Sequence, residues 1–236
     1  MIKSPTDKMP RLEATSPAEQ TRAALVAAAL KLFGRQGFDG TSTREIAAEA
    51  KANIGSIAYH FGGKEGLRTA AADHIVDTIQ AIAGKALGAA AQSAAPLSPE
   101  AARAQLFAVL EGMVGFIVAS PQAGEIVQFV LRELSHPTAA LDRIYAGVFE
   151  PTHRRLCQVW EQATGEPAES EATKLTVFTV IGQVIYFRIG REAVLRRMGW
   201  REIGKDEAAK VVAVATGNLK AMLAARAPAA GKEGKS

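Results

Sequence analysis

Apolar residues recur at three- and four-residue spacing along most of this chain and never alternate in twos over a long run, which is the period of helices rather than strands. Leu25, Ala28, Ala29, Leu32 and Phe33 make one stripe. Their helix begins at Ser16-Pro17, a side-chain cap followed by proline at the first helical position, and ends at Gly37. Thr43 to Ala50 predicts a short second helix with Thr41 or Ser42 as its cap. A third runs from Ile54 to His60 behind Asn53 and is broken by Gly62-Gly63; Lys64 then opens a long alanine-rich fourth helix reaching Gly88. Helical patterns follow at 99–119, 121–135, 138–165, 169–197 and 206–226. Pro151 lacks a backbone donor and is expected to kink or divide the 138–165 segment.

Composition agrees with the pattern. Alanine, the best intrinsic helix former, supplies 46 of 236 residues, so the predicted fold class is all-α. Residues 1–16 read as a flexible arm, 17–66 as one helical unit, 67–226 as a second and larger one, and 227–236 as a disordered tail; the uncharged 89–98 stretch reads as a linker. Cys157 is the single cysteine, which excludes an intramolecular disulfide framework and a cysteine-based zinc site. No His-Glu-x-x-His occurs, and neither a metal nor a cofactor is expected. The charged N-terminus has no apolar core for a signal peptide, and the longest uncharged apolar run, Leu175 to Phe187, is 13 residues, short of a bilayer; the expectation is a cytoplasmic protein without a membrane partner. Enzyme readings fail on their own terms. Gly62-Gly63-Lys64-Glu65 lacks the first glycine and the final Ser/Thr of a phosphate loop, and no Gly-x-Ser-x-Gly elbow exists.

Two short helices joined by about three residues fit a helix-turn-helix. Ile46, Ala47 and Ala50 on the first are expected to face Ile54, Ile57 and Ala58 on the second, leaving Gly55, Ser56, Tyr59 and His60 outward. A helix so short needs tertiary support, and one that is supported and exposed suits the DNA major groove. With the runs from Gly37 to Ala47 and from Tyr59 to Leu67, residues 21–67 resemble the DNA-binding domain of the TetR family of transcriptional regulators. The resemblance rests on Gly37-Phe38-Asp39-Gly40-Thr41-Ser42-Thr43-Arg44-Glu45-Ile46-Ala47 and on Tyr59-His60-Phe61-Gly62-Gly63-Lys64-Glu65-Gly66-Leu67. A second run, Ile181-Gly182-Gln183-Val184-Ile185-Tyr186-Phe187-Arg188-Ile189-Gly190-Arg191-Glu192, with Gly199-Trp200 after it, is similar to one subgroup of that family. The resemblance implies that Arg44, Ile54, Gly55 and Ser56 lie nearest base edges, while Thr43, Tyr59, His60 and Lys64 hold phosphates. Two positions depart from the family pattern. Lys51 stands where the turn usually carries glycine and is expected at positive φ, and Ala58 replaces a tyrosine, removing one DNA contact.

Charge alone does not announce a DNA binder. Residues 11–68 carry eight basic and six acidic side chains, a balance of +2; from Tyr186 onward eleven basic face five acidic, a balance of +6 that reads as a solvated face. The family resemblance implies a homodimer through the last two long helices, with Val177, Ile181 and Ile185 as interface candidates on an unusually broad apolar surface. It also implies a pocket for a small-molecule inducer, with Phe116, Phe129, Arg132, Phe149, His153, Gln183 and Phe187 as candidates; core packing is the commoner role for any one of the aromatics, and Arg132 has pairing with Glu133 or Asp142, or solvent, as its plain alternative. The expected function is that of a ligand-responsive regulator, a repressor bound as a dimer to an inverted-repeat operator in double-stranded DNA. A protein of another class, helical and partner-binding or enzymatic with a purely structural helix-turn-helix, would enrich no genomic DNA site at low salt.

Overall fold

The computed structural model describes residues 16–87 and 96–226. The expected arm up to residue 15, most of the expected linker and the expected tail lie outside them. Among the described residues there is no strand. Helices α1 (Pro17–Gln36), α2 (Thr43–Glu49), α3 (Gly55–Phe61) and α4 (Lys64–Leu87) are followed by α5 (Pro99–Met113), α6 (Pro121–Ser135), α7 (Ala139–Ile144), α8 (Glu150–Thr164), α9 (Glu171–Ile189), α10 (Arg191–Met198) and α11 (Lys205–Ala224). Local chemistry sets the starts. Ser16 and Ser42 each accept from a backbone N–H three residues on, and Glu19 and Glu45 reach back to the cap backbone, closing a capping box at α1 and at α2.

Two π-helical turns interrupt the α geometry. Val114–Ala119 extends α5, and Tyr145–Phe149 joins α7 to α8 immediately before Pro151. The proline therefore divides its segment as expected, though by a wide turn rather than a break. Gly147, four residues before Pro151, has the carbonyl that the missing N–H would have met; Gln80 of α4 donates to it at 3.0 Å. The expected single helix 169–197 is divided at Gly190, which has a backbone conformation outside the helix and lies under the Tyr186 ring.

The side chains bury into two cores. The first joins α1–α4 to α6, α7 and the turn before Pro151, with Leu25, Phe33, Ile46, Ile57, Leu67, Ile75, Phe129 and Ile144 at its centre. It thus continues past residue 66 into the later helices. The second joins α5, α8, α9, α10 and α11 around Trp160, Leu110, Val184 and Leu219. Helix α9 is apolar on two sides: Val177 and Val184 point into this core, while Leu175, Phe178, Tyr186 and Ile189 are exposed. That double face explains why 171–189, like 99–119, is long and apolar enough by length and composition to cross a membrane.

Candidate functional site

The reading unit is built on glycine and caps. Helix α2 ends in a Schellman arrangement: the Ala52 N–H meets Ala47 O at 2.9 Å and the Lys51 N–H meets Ala48 O at 3.1 Å. This closure places Lys51 at φ 52, the one non-glycine residue at positive φ among the described residues, as its place in the turn led one to expect. Asn53 Oδ1 then accepts from the Gly55 N–H at 2.8 Å and starts α3. At the other end Gly62 is left-handed, and a Cβ on Gly66 would lie 1.9 Å from Phe61 O, so α3 can turn into α4 so tightly only with glycine there.

Of the residues expected to face α2, only Ile57 is buried; Ile54 and Ala58 are exposed, a correction that follows from a helix too short to turn three residues inward. Tyr59 is 83 % exposed and meets His60 edge to face. Arg44 is exposed and forms no ion pair among the described residues. Ser42 is the cap, which frees the Thr43 hydroxyl from that role. Ser56 is half-buried and Gly55 exposed on the same short helix. Lys64 opens α4, where a cation opposes the helix dipole; its ammonium lies 4.2 Å from the centre of the Phe38 ring. Arg68 rests on the same ring at 4.1 Å, a contact that sequence spacing does not reveal because Phe38 lies in the α1–α2 turn.

Of the seven pocket candidates, Phe129 and Arg132 line one cleft beside the α1–α2 turn, and the other five do not join them there. Phe129 is core, with Phe116 and Phe149 packed against it in the first cluster, while Phe187 belongs to the second. The His153 ring stacks on Phe178 at 3.9 Å with Nε2 against Lys174 O, and Gln183 accepts from Asn218 of α11. Arg132 pairs with neither acid foreseen for it. It donates to Gly34 O and Arg35 O, the free carbonyls at the end of α1, and so ties α6 to the reading unit. Arg188 does the same service in the second core, donating to the carbonyls of Ile117, Val118 and Ser120 where the first π-helical turn ends; burial holds its pKa below the ordinary arginine value. A small apolar cavity of about 20 Å³ sits among Leu110, Met113, Trp160, Val177, Ile181 and Leu219. Val177 is 3 % exposed and faces this core, so it is not available to a second subunit; the outward side of α9 carries Phe178 and Tyr186 instead.

Residues 25–71 match the family model described as bacterial regulatory proteins of the tetR family, and residues 102–226, more than half the chain, match the C-terminal domain of the HTH-type transcriptional dual regulator CecR. The chain belongs to the TetR family. Among relatives, the dual regulator CecR of Shigella flexneri is 33 % identical over 82 % of this chain and 86 % of its own length. The repressor Rv3405c of Mycobacterium tuberculosis is 44 % identical over 24 % of this chain and 30 % of its own. Solved structures share the fold, two of them as follows. A transcriptional regulator from Pseudomonas aeruginosa PAO1 superposes with TM-score 0.65 at 22 % identity, over 91 % of this chain and 93 % of that one. AibR, solved with isovaleryl coenzyme A and operator DNA, gives TM-score 0.61 at 18 % identity over 85 % and 97 %. This TetR-type chain is thus a transcriptional regulator and not an enzyme, with an N-terminal helix-turn-helix and a larger helical C-terminal part.

Proposed function

We propose that this regulator is a homodimeric repressor that reads an inverted repeat and is released by a small molecule. The observation that carries the proposal is the set of exposed, unspent side chains on a firmly supported unit: Arg44 and Tyr59 point outward while Ile46 and Ile57 anchor their helices in the first core. In this reading Arg44, Ile54, Gly55 and Ser56 approach base edges, and Thr43, Tyr59, His60 and Lys64 hold the backbone. Dimerisation uses the outward side of α9 together with α11. That AibR, which shares the fold, was solved with both isovaleryl coenzyme A and operator DNA supports a ligand site and a DNA site on one chain. The name of the Shigella relative supports a second mode, activation at some promoters, which expression in both directions in a deletion strain would reveal.

Selection of genomic fragments at low salt supplies the operator, and two variants then test the assignment. Arg44→Ala should relax preference at one base position per half-site, costing about 1–3 kcal/mol for a lost bidentate contact. Lys64→Ala should weaken every sequence alike and reduce the salt slope by about one to two ions for a dimer. Uniform loss in both variants would make Arg44 a phosphate anchor; no enriched fragment at all would remove the proposal.

A further inference from the structure

Between the α1–α2 turn and the end of α6 lies a cleft of about 460 Å³, with Phe33, Phe38 and Asp39 on one side and Phe129, Arg132 and Glu133 on the other. Its size is that of a small-molecule site, and it sits at the junction of the reading unit with the later helices, a common location for one. Its charges are unevenly answered. Arg68 is met by Glu65 at 2.6 Å and by the Phe38 ring. Arg132 is held by the two carbonyls at the negative end of α1. Glu133 has no such partner. It is 7 % exposed, one carboxylate oxygen accepts from the Thr138 hydroxyl, and no cation pairs with it among the described residues. Taking a carboxylate this far out of water without a counter-charge is costly. Asp39 at the rim is exposed and has no ion pair among the described residues either.

We propose that this junction cleft binds a small organic cation, an ammonium group on an aromatic body. The ammonium sits against Glu133, with Asp39 adding attraction, and the body lies along Phe38, the partly exposed ring of the cleft, while Phe33 and Phe129 close it from the core side. Among the described residues one terminal nitrogen of Arg132 has no protein hydrogen bond, so a hydroxyl or carbonyl at the far end of the ligand finds a donor there. The site deepens the ligand-responsive reading given above and rests on that reading only for its consequence. A molecule bridging the α1–α2 turn and α6 fixes the angle between the part that reads DNA and the part that dimerises.

Tyramine, tyrosol and 4-hydroxyphenylacetate share one body and differ in a positive, neutral or negative head. Calorimetric titration of the full chain, without DNA, should show tyramine binding once per chain and the other two at least about tenfold weaker, the scale of one charged hydrogen bond. Glu133→Gln keeps an acceptor for Thr138 and should weaken tyramine by about tenfold or more on the same scale. Asp39→Asn alters an exposed turn residue, so it reports even if the buried variant folds poorly, and should weaken tyramine about two- to threefold, as expected of a rim charge. Equal binding of the three heads, no binding of tyramine at millimolar concentration, or unchanged affinity in Glu133→Gln would overturn the site. Tyramine that binds but leaves operator affinity unaltered would uphold the site and sink its link to DNA release, so the two failures are distinguishable.

Discussion

At the scale of single residues, the recognition turn holds its shape against one strained side chain. Lys51 occupies a left-handed conformation that disfavours a Cβ, and the Schellman hydrogen bonds around it leave no alternative. Lys51→Gly should therefore raise stability by about 0.5–1 kcal/mol, the relief of strain exceeding the added freedom of the unfolded chain. Chemical denaturation measures it, and a lowered midpoint would show that the lysine stem contributes more than the strain costs. The capping box of α2 adds a pH dependence. The Ser42 backbone N–H and then its hydroxyl donate to the Glu45 carboxylate and hold its pKa below the ordinary glutamate value. A folded pKa lower than the unfolded one means stability that is complete above the unfolded value and lost as pH falls through the folded one. Carboxyl carbon shifts of Glu45 should thus titrate below those of a glutamate without a cap partner, and Ser42→Ala, which removes the hydroxyl but keeps the backbone donor, should raise the midpoint only part of the way. The turn glycine replaced by lysine was legible from the chain, because a family pattern marks that position. Phe38 beneath Lys64 and Arg68 was not, since a turn residue has no helical period to betray its partners.

At the scale of elements, starts were more legible than interiors. Ser16, Ser42 and Asn53 announce α1, α2 and α3 because a cap is a local bargain between neighbouring groups. Pro151 marked a division of its segment but not the π-helical form it takes, and the turn at 114–119 left no compositional mark; the carbonyl freed before Pro151 is answered by Gln80, which lies 67 residues earlier. Nor does a two-sided apolar helix reveal which side faces its own core. On α9 the inward side is Val177 and Val184, and the outward one Leu175, Phe178, Tyr186 and Ile189, about one residue further round than the interface first expected. Opposite it in the proposed dimer, α11 offers Val214, exposed, and the small Gly217 and Ala221. Phe178→Asp with Tyr186→Asp should consequently yield a folded monomer, read by solution mass and unchanged helical circular dichroism. Ile181→Asp with Ile185→Asp should instead lower stability, because Ile181 lines the small cavity of the second core. A dimer surviving the first pair would move the interface elsewhere.

At the scale of the whole molecule, α4 is the member common to reading and sensing. It leaves the recognition helix at Lys64 and meets α7 and the turn before Pro151 at three rungs on one face: Asp73 with Arg143 at 2.7 Å, Val76 against Gly147, and Gln80 on Gly147 O. In a two-fold dimer the two α3 helices must stand about 34–36 Å apart to enter successive major grooves, so half-site centres of the proposed inverted repeat lie about 10 bp apart. A shift of α4 changes that spacing without touching a base-reading side chain. Gly147 offers a way to impose one without any ligand. A Cβ there would lie 2.7 Å from one Val76 methyl and 2.8 Å from the other, so Gly147→Ala must push α4 and the turn apart, at a cost of about 1–3 kcal/mol for overpacking. The variant should bind the full inverted repeat at least about tenfold more weakly, one step of about 1.4 kcal/mol, yet keep its affinity for an isolated half-site. Adding Val76→Ala restores the room and should restore the full repeat, a coupling that a double-mutant cycle measures. Equal loss on both DNAs would mean that the reading helices themselves are disturbed. No loss on either would mean that the position of α4 does not set the distance between them.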